Sequence, residues 1–214
     1  MPDALTEQPA RQTEGYESVR GRVFILSGPS GVGKDSLTNE LKRQAFPLSF
    51  CITATTRQPR PGEQDGVHYF FLDEATFEQM RQNDELLEWA MVHGHHYGIP
   101  RWQVREGLRC GNDVMITVDV QGGETLRRKL PGAVFIFLAP PKLEDLLPRL
   151  RKRGTESPDE LKVRLQTAVR EMEHWPRYDY FVLNHSERLH EAVDTIKAII
   201  TAERHRVNPR LVTL

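Results

Sequence analysis

The residues with the clearest chemical bearing are Gly28-Pro29-Ser30-Gly31-Val32-Gly33-Lys34, followed by Asp35 and Ser36. Glycines at this spacing let successive backbone N–H groups turn inward around phosphate oxygens. A helix that starts at the lysine adds the partial positive charge of its N-terminus. Lys34 then reaches the β- and γ-phosphates of a nucleoside triphosphate as a mobile point charge. The competing reading is an ordinary tight turn, and context favours the phosphate loop. Val23-Phe24-Ile25-Leu26 before it reads as a buried strand, and Leu37 and Leu41 after it lie i, i+4 on a helix expected to end near Gln44. One position departs from the motif. The residue after the lysine, normally a Mg²⁺-ligating Ser or Thr, is Asp35.

Further along, Arg57-Gln58-Pro59-Arg60-Pro61-Gly62-Glu63 is held extended by its prolines. Two arginines three apart on such a segment suit a dianion, each offering a rigid fork of donors; a solvated basic loop accounts for them equally well. Glu88 lies inside the strand-like run Leu86 to Val92, either on its solvent face or turned inward for a purpose. His95 and His96 are adjacent but lack an evenly spaced third ligand, so surface histidines are favoured over a metal site. Asp119 closes the apolar run Asp113-Val114-Met115-Ile116-Thr117-Val118, as does the Mg²⁺-associated carboxylate of phosphate-loop proteins. Arg149, Arg151, Lys152 and Arg153, with Arg164 on the next helix, form a basic stretch. A charge run is usually a solvated face; beside a phosphate loop, clamping of phosphate is the favoured reading.

These groups need a scaffold. The apolar runs at 23–26, 113–119, 133–138 and 179–183 alternate with helical patterns, which predicts an α/β fold with a parallel, doubly wound sheet. Ligands in such sheets bind at the carboxyl ends of the strands, where Gly28, Asp119 and Ala139 fall. Strands are also expected over 50–56, 67–71 and 86–92, a turn over Gly94 to Gly98, and helices from Asp73 to Met80, Arg101 to Arg109, Ser157 to about Trp175 and Arg188 to about Glu203. The length of 214 residues suits one large domain, and a formal charge of −1 offers no global field for nucleic acid. No apolar run is long enough to span a membrane. Cys51 and Cys110 match no metal spacing and read as buried, reduced thiols of a cytoplasmic protein. Residues 1–19 read as a disordered tail and 205–214 as a second, short one.

Taken together, the motifs resemble guanylate kinase from roughly Arg22 to Arg204: the phosphate loop, Thr55-Thr56-Arg57-Gln58-Pro59-Arg60-Pro61-Gly62-Glu63 with Gly66 and Tyr69, Glu88 with Tyr97-Gly98, Asp119-Val120-Gln121-Gly122, Arg149 to Gly154, and Arg164. The resemblance implies transfer of the γ-phosphoryl group of ATP to GMP with Mg²⁺ as cofactor. It implies a core over 20–52, 99–141 and 176–204, an inserted GMP-binding subdomain over 53–98 and a mobile lid over 142–175. By resemblance, Gly28 to Lys34 with Asp35 and Ser36 hold ATP, and Asn184 lies near the adenine. Arg57, Arg60, Tyr69 and Tyr97 hold the GMP phosphate. Glu88 and Asp119 accept from N1–H and the 2-amino group of guanine, assisted by Thr53. Lys34, Arg149, Arg153 and Arg164 act on the phosphates, and Asp35 takes the metal-ligand position. Besides Asp35, two positions depart from the family pattern: Ile99 stands where Ser or Thr is usual, and Thr117 where an acid is usual. Gly-Lys-Asp-Ser also occurs in P-loop kinases of the ribose 1,5-bisphosphate class, the alternative reading. A catalytically inactive guanylate-kinase-like interaction module is a third.

Overall fold

The computed structural model describes residues 21–92, 94–151 and 158–214, with the side chains of 150, 151 and 158–162 excepted. The expected N-terminal tail and Arg153 lie outside the described residues.

The chain begins with β1 (Val23–Ser27), buried along its whole length, then α1 (Lys34–Arg43) and the short β2 (Ser49–Phe50). It leaves for β3 (Ala54–Thr55), β4 (Phe70–Phe71), α2 (Glu74–Gln82), β5 (Leu86–Val92) and β6 (His95–Pro100). It returns through α3 (Arg101–Arg109), β7 (Val114–Thr117), α4 (Val120–Lys129) and β8 (Val134–Ala139). A 3₁₀ turn precedes α5 (Leu146–Arg151), and α6 (Pro158–Met172), β9 (Tyr180–Leu183) and α7 (Leu189–Arg204) follow.

Two sheets result, ordered β2-β7-β1-β8-β9 and β4-β3-β6-β5. In the first, every neighbour pair is parallel. Its central strand is apolar on both faces because both are covered. Phe24 and Leu26 pack with Leu37, Leu41 and Ile196 on one side, and Val23 and Ile25 with Val104 and Leu126 on the other. The doubly wound α/β arrangement expected from the sequence is therefore the one observed. The second sheet is mixed, and its small core is Ala54, Phe77 and Leu86.

Several local expectations need correction. The strand expected over 50–56 is split between the two sheets. Between β2 and β3 the Gln103 amide serves the backbone of Ile52, accepting from its N–H at 2.9 Å and donating to its carbonyl at 2.6 Å, in place of a strand neighbour. The strand expected over 67–71 shrinks to β4, because Gly66 N–H bonds the Tyr69 carbonyl and turns the segment. The turn expected over 94–98 is confined to Gly94, whose φ of 78° suits glycine; from His95 the chain is already β6, paired on both sides. α6 stops at Met172 and a 3₁₀ turn takes Trp175–Arg177, as Pro176 demands. Cys51 is half-buried, and desolvation pushes its thiol up to about 12, but Cys110 is exposed. Residues 206–214 form no helix or strand, yet they are docked. Arg210 reaches Asp179 at 2.8 Å, Glu203 lies at 3.8 Å, and Val212 and Leu214 pack on the core.

Candidate active site

The phosphate loop joins the end of β1 to the start of α1, at the carboxyl edge of the main sheet. Gly28 opens it with φ 148°, and a Cβ there would come within 2.1 Å of the Leu138 carbonyl. Only glycine lets the loop lie this close to β8. Lys34 is folded back on its own loop, donating from Nζ to the carbonyls of Gly28 at 2.7 Å and Pro29 at 3.3 Å. Asp35 and Ser36 occupy the exposed side of the first helical turn.

On the outer side of the loop, the Val32 carbonyl accepts from Arg149 Nη1 at 2.7 Å and Asn184 Nδ2 at 2.8 Å. Arg149 Nη2 also donates to the Asn184 carbonyl and the Ser186 hydroxyl, and burial draws its pKa down. Arg149 is thus engaged with backbone carbonyls beside Asn184, on the outer side of the phosphate loop. The two side chains share the wall of a cavity of about 580 Å³ with Gly31, Gly33 and Leu189. The Asn184 Oδ1 is a buried acceptor with no protein partner.

Toward the second sheet lies a cavity of about 470 Å³ lined by Ser30, Lys34, Asp35, Asp119, Arg164 and Glu171. Glu171, on α6, is a residue the sequence reading missed. Its Oε2 accepts the Ser30 N–H at 3.2 Å. Burial pushes its carboxyl up, opposed by that hydrogen bond and by the charge of Lys34. A carboxylate therefore stands on a loop amide of the kind that phosphate uses. Helical spacing carries the only sequence signal. Glu171 is seven residues, two turns, beyond Arg164 and so on the same face.

A third cavity, about 310 Å³, is bounded by Thr53, Tyr69, Glu88, Tyr97, Ile99 and Asp119. Glu88 projects from β5 and is only 8% exposed. Burial, then the charge of Asp119, pushes its carboxyl up to about 7, with Lys129 opposing. Asp119 caps α4, its Oδ1 accepting the Gly122 N–H at 2.7 Å. Its carbonyl is held by the Ser27 hydroxyl at 2.9 Å. Asp119 and Val92 line both this cavity and the previous one, so the two lie side by side. Ile99, 1% exposed, gives an apolar wall where a hydroxyl is usual, and the Thr117 and Thr38 hydroxyls lie 3.4 Å apart.

At the cavity's mouth, Arg57 bonds Glu63 through Nη2 at 2.9 Å and 3.0 Å and donates from Nε to the Tyr97 hydroxyl at 3.2 Å. Its guanidinium stands 5.3 Å from the Tyr69 ring centre. Glu63, kept ionised by Arg57 and the Arg60 backbone N–H, is the organiser of this corner. The Asp35 charge reaches it too, adding to the burial that raises the Tyr69 phenol. The structure thus brings Arg57, Tyr69 and Tyr97 together, whereas the Arg60 side chain lies on the exposed surface.

Comparison with known proteins gives one consistent answer. The family model described as guanylate kinase matches residues 20–203. A guanylate kinase of Desulfitobacterium hafniense (strain Y51) is 45% identical over 191 residues, 89% of this chain and 94% of that protein. One from Caldanaerobacter subterraneus subsp. tengcongensis is 43% identical over 189 residues, covering 88% and 91%. The crystal structure of guanylate kinase from Anaplasma phagocytophilum superposes with a TM-score of 0.70 at 30% identity, covering 88% of this chain and 89% of that one.

Proposed function

The chain belongs to the guanylate kinase family, phosphorylating GMP at the expense of ATP, and from that premise we propose how its residues divide the work. The observation that carries the assignment is the pair of carboxylates, Glu88 and Asp119, in a cavity adjoining that of the phosphate loop, with Asp119 on the wall of both. Guanine presents two N–H donors on its Watson–Crick edge, at N1 and the 2-amino group. Carboxylates accept from both, whereas adenine presents an acceptor at N1 and meets repulsion. Thr53 and Ile99 bound the ring. Arg57, Tyr69 and Tyr97 take the phosphate of GMP at the mouth, Glu63 releasing part of its hold on Arg57. Arg60 reaches in from the surface.

The loop from Gly28 to Lys34 holds the triphosphate of ATP by its backbone N–H groups, with Lys34 leaving its own carbonyls for phosphate oxygens. Asn184 offers its buried Oδ1 to the adenine side, and Arg149 buttresses it there. Phosphoryl transfer needs positive charge around the equatorial oxygens and exclusion of water more than it needs acid or base. Arg164, brought down by α6 as part of a lid over 142–175, supplies that charge together with Lys34. Mg²⁺ fits the residues at hand. Among the described residues no group of three or more His, Cys, Asp or Glu forms a closed cage. Asp35 offers one carboxylate on the wall shared with Lys34, which suits a hard cation that keeps waters and phosphate oxygens as its other ligands. When bound, the ion neutralises charge on the β- and γ-phosphates. We place the protein in the cytoplasm, where both nucleotides are available and Cys51 and Cys110 remain free thiols.

A coupled assay offering GMP, dGMP, AMP and ribose 1,5-bisphosphate with ATP tests the assignment, and only GMP and dGMP are expected to be good acceptors. Glu88→Gln removes one charge-assisted hydrogen bond worth about 1.5–3 kcal/mol, so kcat/KM for GMP is expected to fall by about ten- to over a hundredfold. An unchanged GMP/AMP ratio in that variant would refute the base-reading role.

A further inference from the structure

Gly122 stands at the third position of α4, and nothing in its backbone requires glycine. Its φ lies outside the left-handed region, and glycine costs a helix stability relative to alanine. What requires it is space. A Cβ on Gly122 would lie 3.3 Å from the Asp119 Oδ1, 3.3 Å from the Glu88 Cδ and 3.0 Å from the Val118 Cβ. The two carboxylates that face the base cavity therefore meet at one point, and that point is the missing side chain of Gly122. The same residue's N–H holds the Asp119 Oδ1 at 2.7 Å, which fixes the carboxylate's rotation and directs the other oxygen elsewhere.

We propose that Gly122 is a positioning residue for base recognition: its N–H orients Asp119 and its lack of a side chain lets Glu88 approach, so that the two carboxylates are spaced for adjacent donors on one purine edge. The proposal rests on the reading of Glu88 and Asp119 as the guanine-reading pair. It makes Gly122 responsible for discrimination by spacing, with no contact of its own to the base. Gly123, the next residue, serves as a contrast. A Cβ there would meet the Tyr178 hydroxyl at 2.5 Å, on another side of the helix.

The test is Gly122→Ala, assayed with GMP and with IMP, which lacks the 2-amino group. A methyl group between the carboxylates is expected to raise KM for GMP about tenfold, the low end for losing a hydrogen bond to a charged group, with smaller changes in kcat and in KM for ATP. The advantage of GMP over IMP should shrink, because the Asp119 contact to the 2-amino group is displaced. Adding Glu88→Asp, which shortens the side chain that the methyl group presses on, should give a loss smaller than the product of the two single losses. Melting curves accompany each variant. Should Gly122→Ala fail to fold, Gly122→Ala/Val118→Gly removes the Cβ that makes the tightest contact and is assayed in its place. If that variant also fails to fold, glycine is needed for packing alone and the proposal is overturned. It is equally overturned if Gly122→Ala keeps the parent's GMP/IMP ratio while Glu88→Gln alters GMP/AMP selectivity. If Glu88→Gln alters nothing, the underlying reading of the base site fails instead.

Discussion

Glu88 shows how one residue converts burial into pH dependence. Desolvation and the neighbouring Asp119 raise its carboxyl to about 7, so near neutrality the empty cavity holds it about half protonated. Only the ionised form offers a purine N1–H a charge-assisted acceptor. GMP affinity should therefore rise with pH through about 7 and be roughly tenfold weaker at pH 6 than at high pH, since the competent fraction there is about a tenth. Glu88→Gln should flatten that part of the profile, and titrations of GMP into the parent and variant at pH 6, 7 and 8 measure it. The sign for stability is opposite. A carboxyl raised on folding binds more protons in the native state, so this group's contribution to stability declines as pH rises from about 4.5 to 7. Asp35 is the second residue with a clear test. If it ligates Mg²⁺, Asp35→Ala should raise the Mg²⁺ needed for half-maximal rate by at least ~10-fold. Asp35→Ser should stay active, and metal-free nucleotide should bind the alanine variant more tightly because a negative charge is gone. Superimposable Mg²⁺ curves for parent and variants would rule ligation out. Both residues stood out in the sequence, Asp35 because it breaks a fixed motif and Glu88 because it interrupts an apolar run. The shifted titration of Glu88 was not legible, because it depends on Asp119 arriving from thirty-one residues away.

At the scale of elements, α6 carries opposing functions on one face. Arg164 and Glu171 both line the cavity over the phosphate loop, and Glu171 already bonds Ser30. Arriving phosphate competes with that carboxylate, whereas Arg164 welcomes it. Glu171→Gln should therefore tighten ATP binding by a few-fold, within the ~0.5–1.5 kcal/mol of an ordinary hydrogen bond, as read by calorimetry. Unchanged or weaker binding would show that nucleotide leaves the contact in place. Arg164→Ala should lower kcat more than it raises KM for GMP, because its charge matters most when the transferring group spreads its own; a pure KM effect would contradict that. Helices were readable in the sequence: α2 follows its Asp73 cap, and α3 begins and ends at the expected Arg101 and Arg109. The short strands were not. A two-residue strand such as β3 carries no periodicity of its own and exists only through its partners β4 and β6. Likewise the side on which Arg149 lies is set by the Val32 and Asn184 carbonyls, which no local pattern announces.

For the whole molecule, the alternation of apolar runs and helices was enough to give the doubly wound sheet, but the docking of the last residues was not, since it hangs on Arg210 meeting Asp179 and Glu203. The two sheets are unequal. The main one has extensive cores on both faces, whereas the second has a small core of its own, Ala54, Phe77 and Leu86, and lends Leu87 and Ile99 to the main one. Glu88 belongs to the small sheet and Asp119 to the large one. A single guanine ring held by both is then a rivet between a strong plate and a weak one. Amide hydrogens of β3, β5 and β6 should exchange through local opening in the free protein, well before those of β1 and β8. Saturating GMP should slow them in proportion to occupancy, by about a hundredfold at a hundred times Kd, and leave the central strands little changed. Equal protection of both sheets without ligand would show that the small sheet needs no rivet. The acceptor nucleotide would in that sense complete the fold of the unit that selects it.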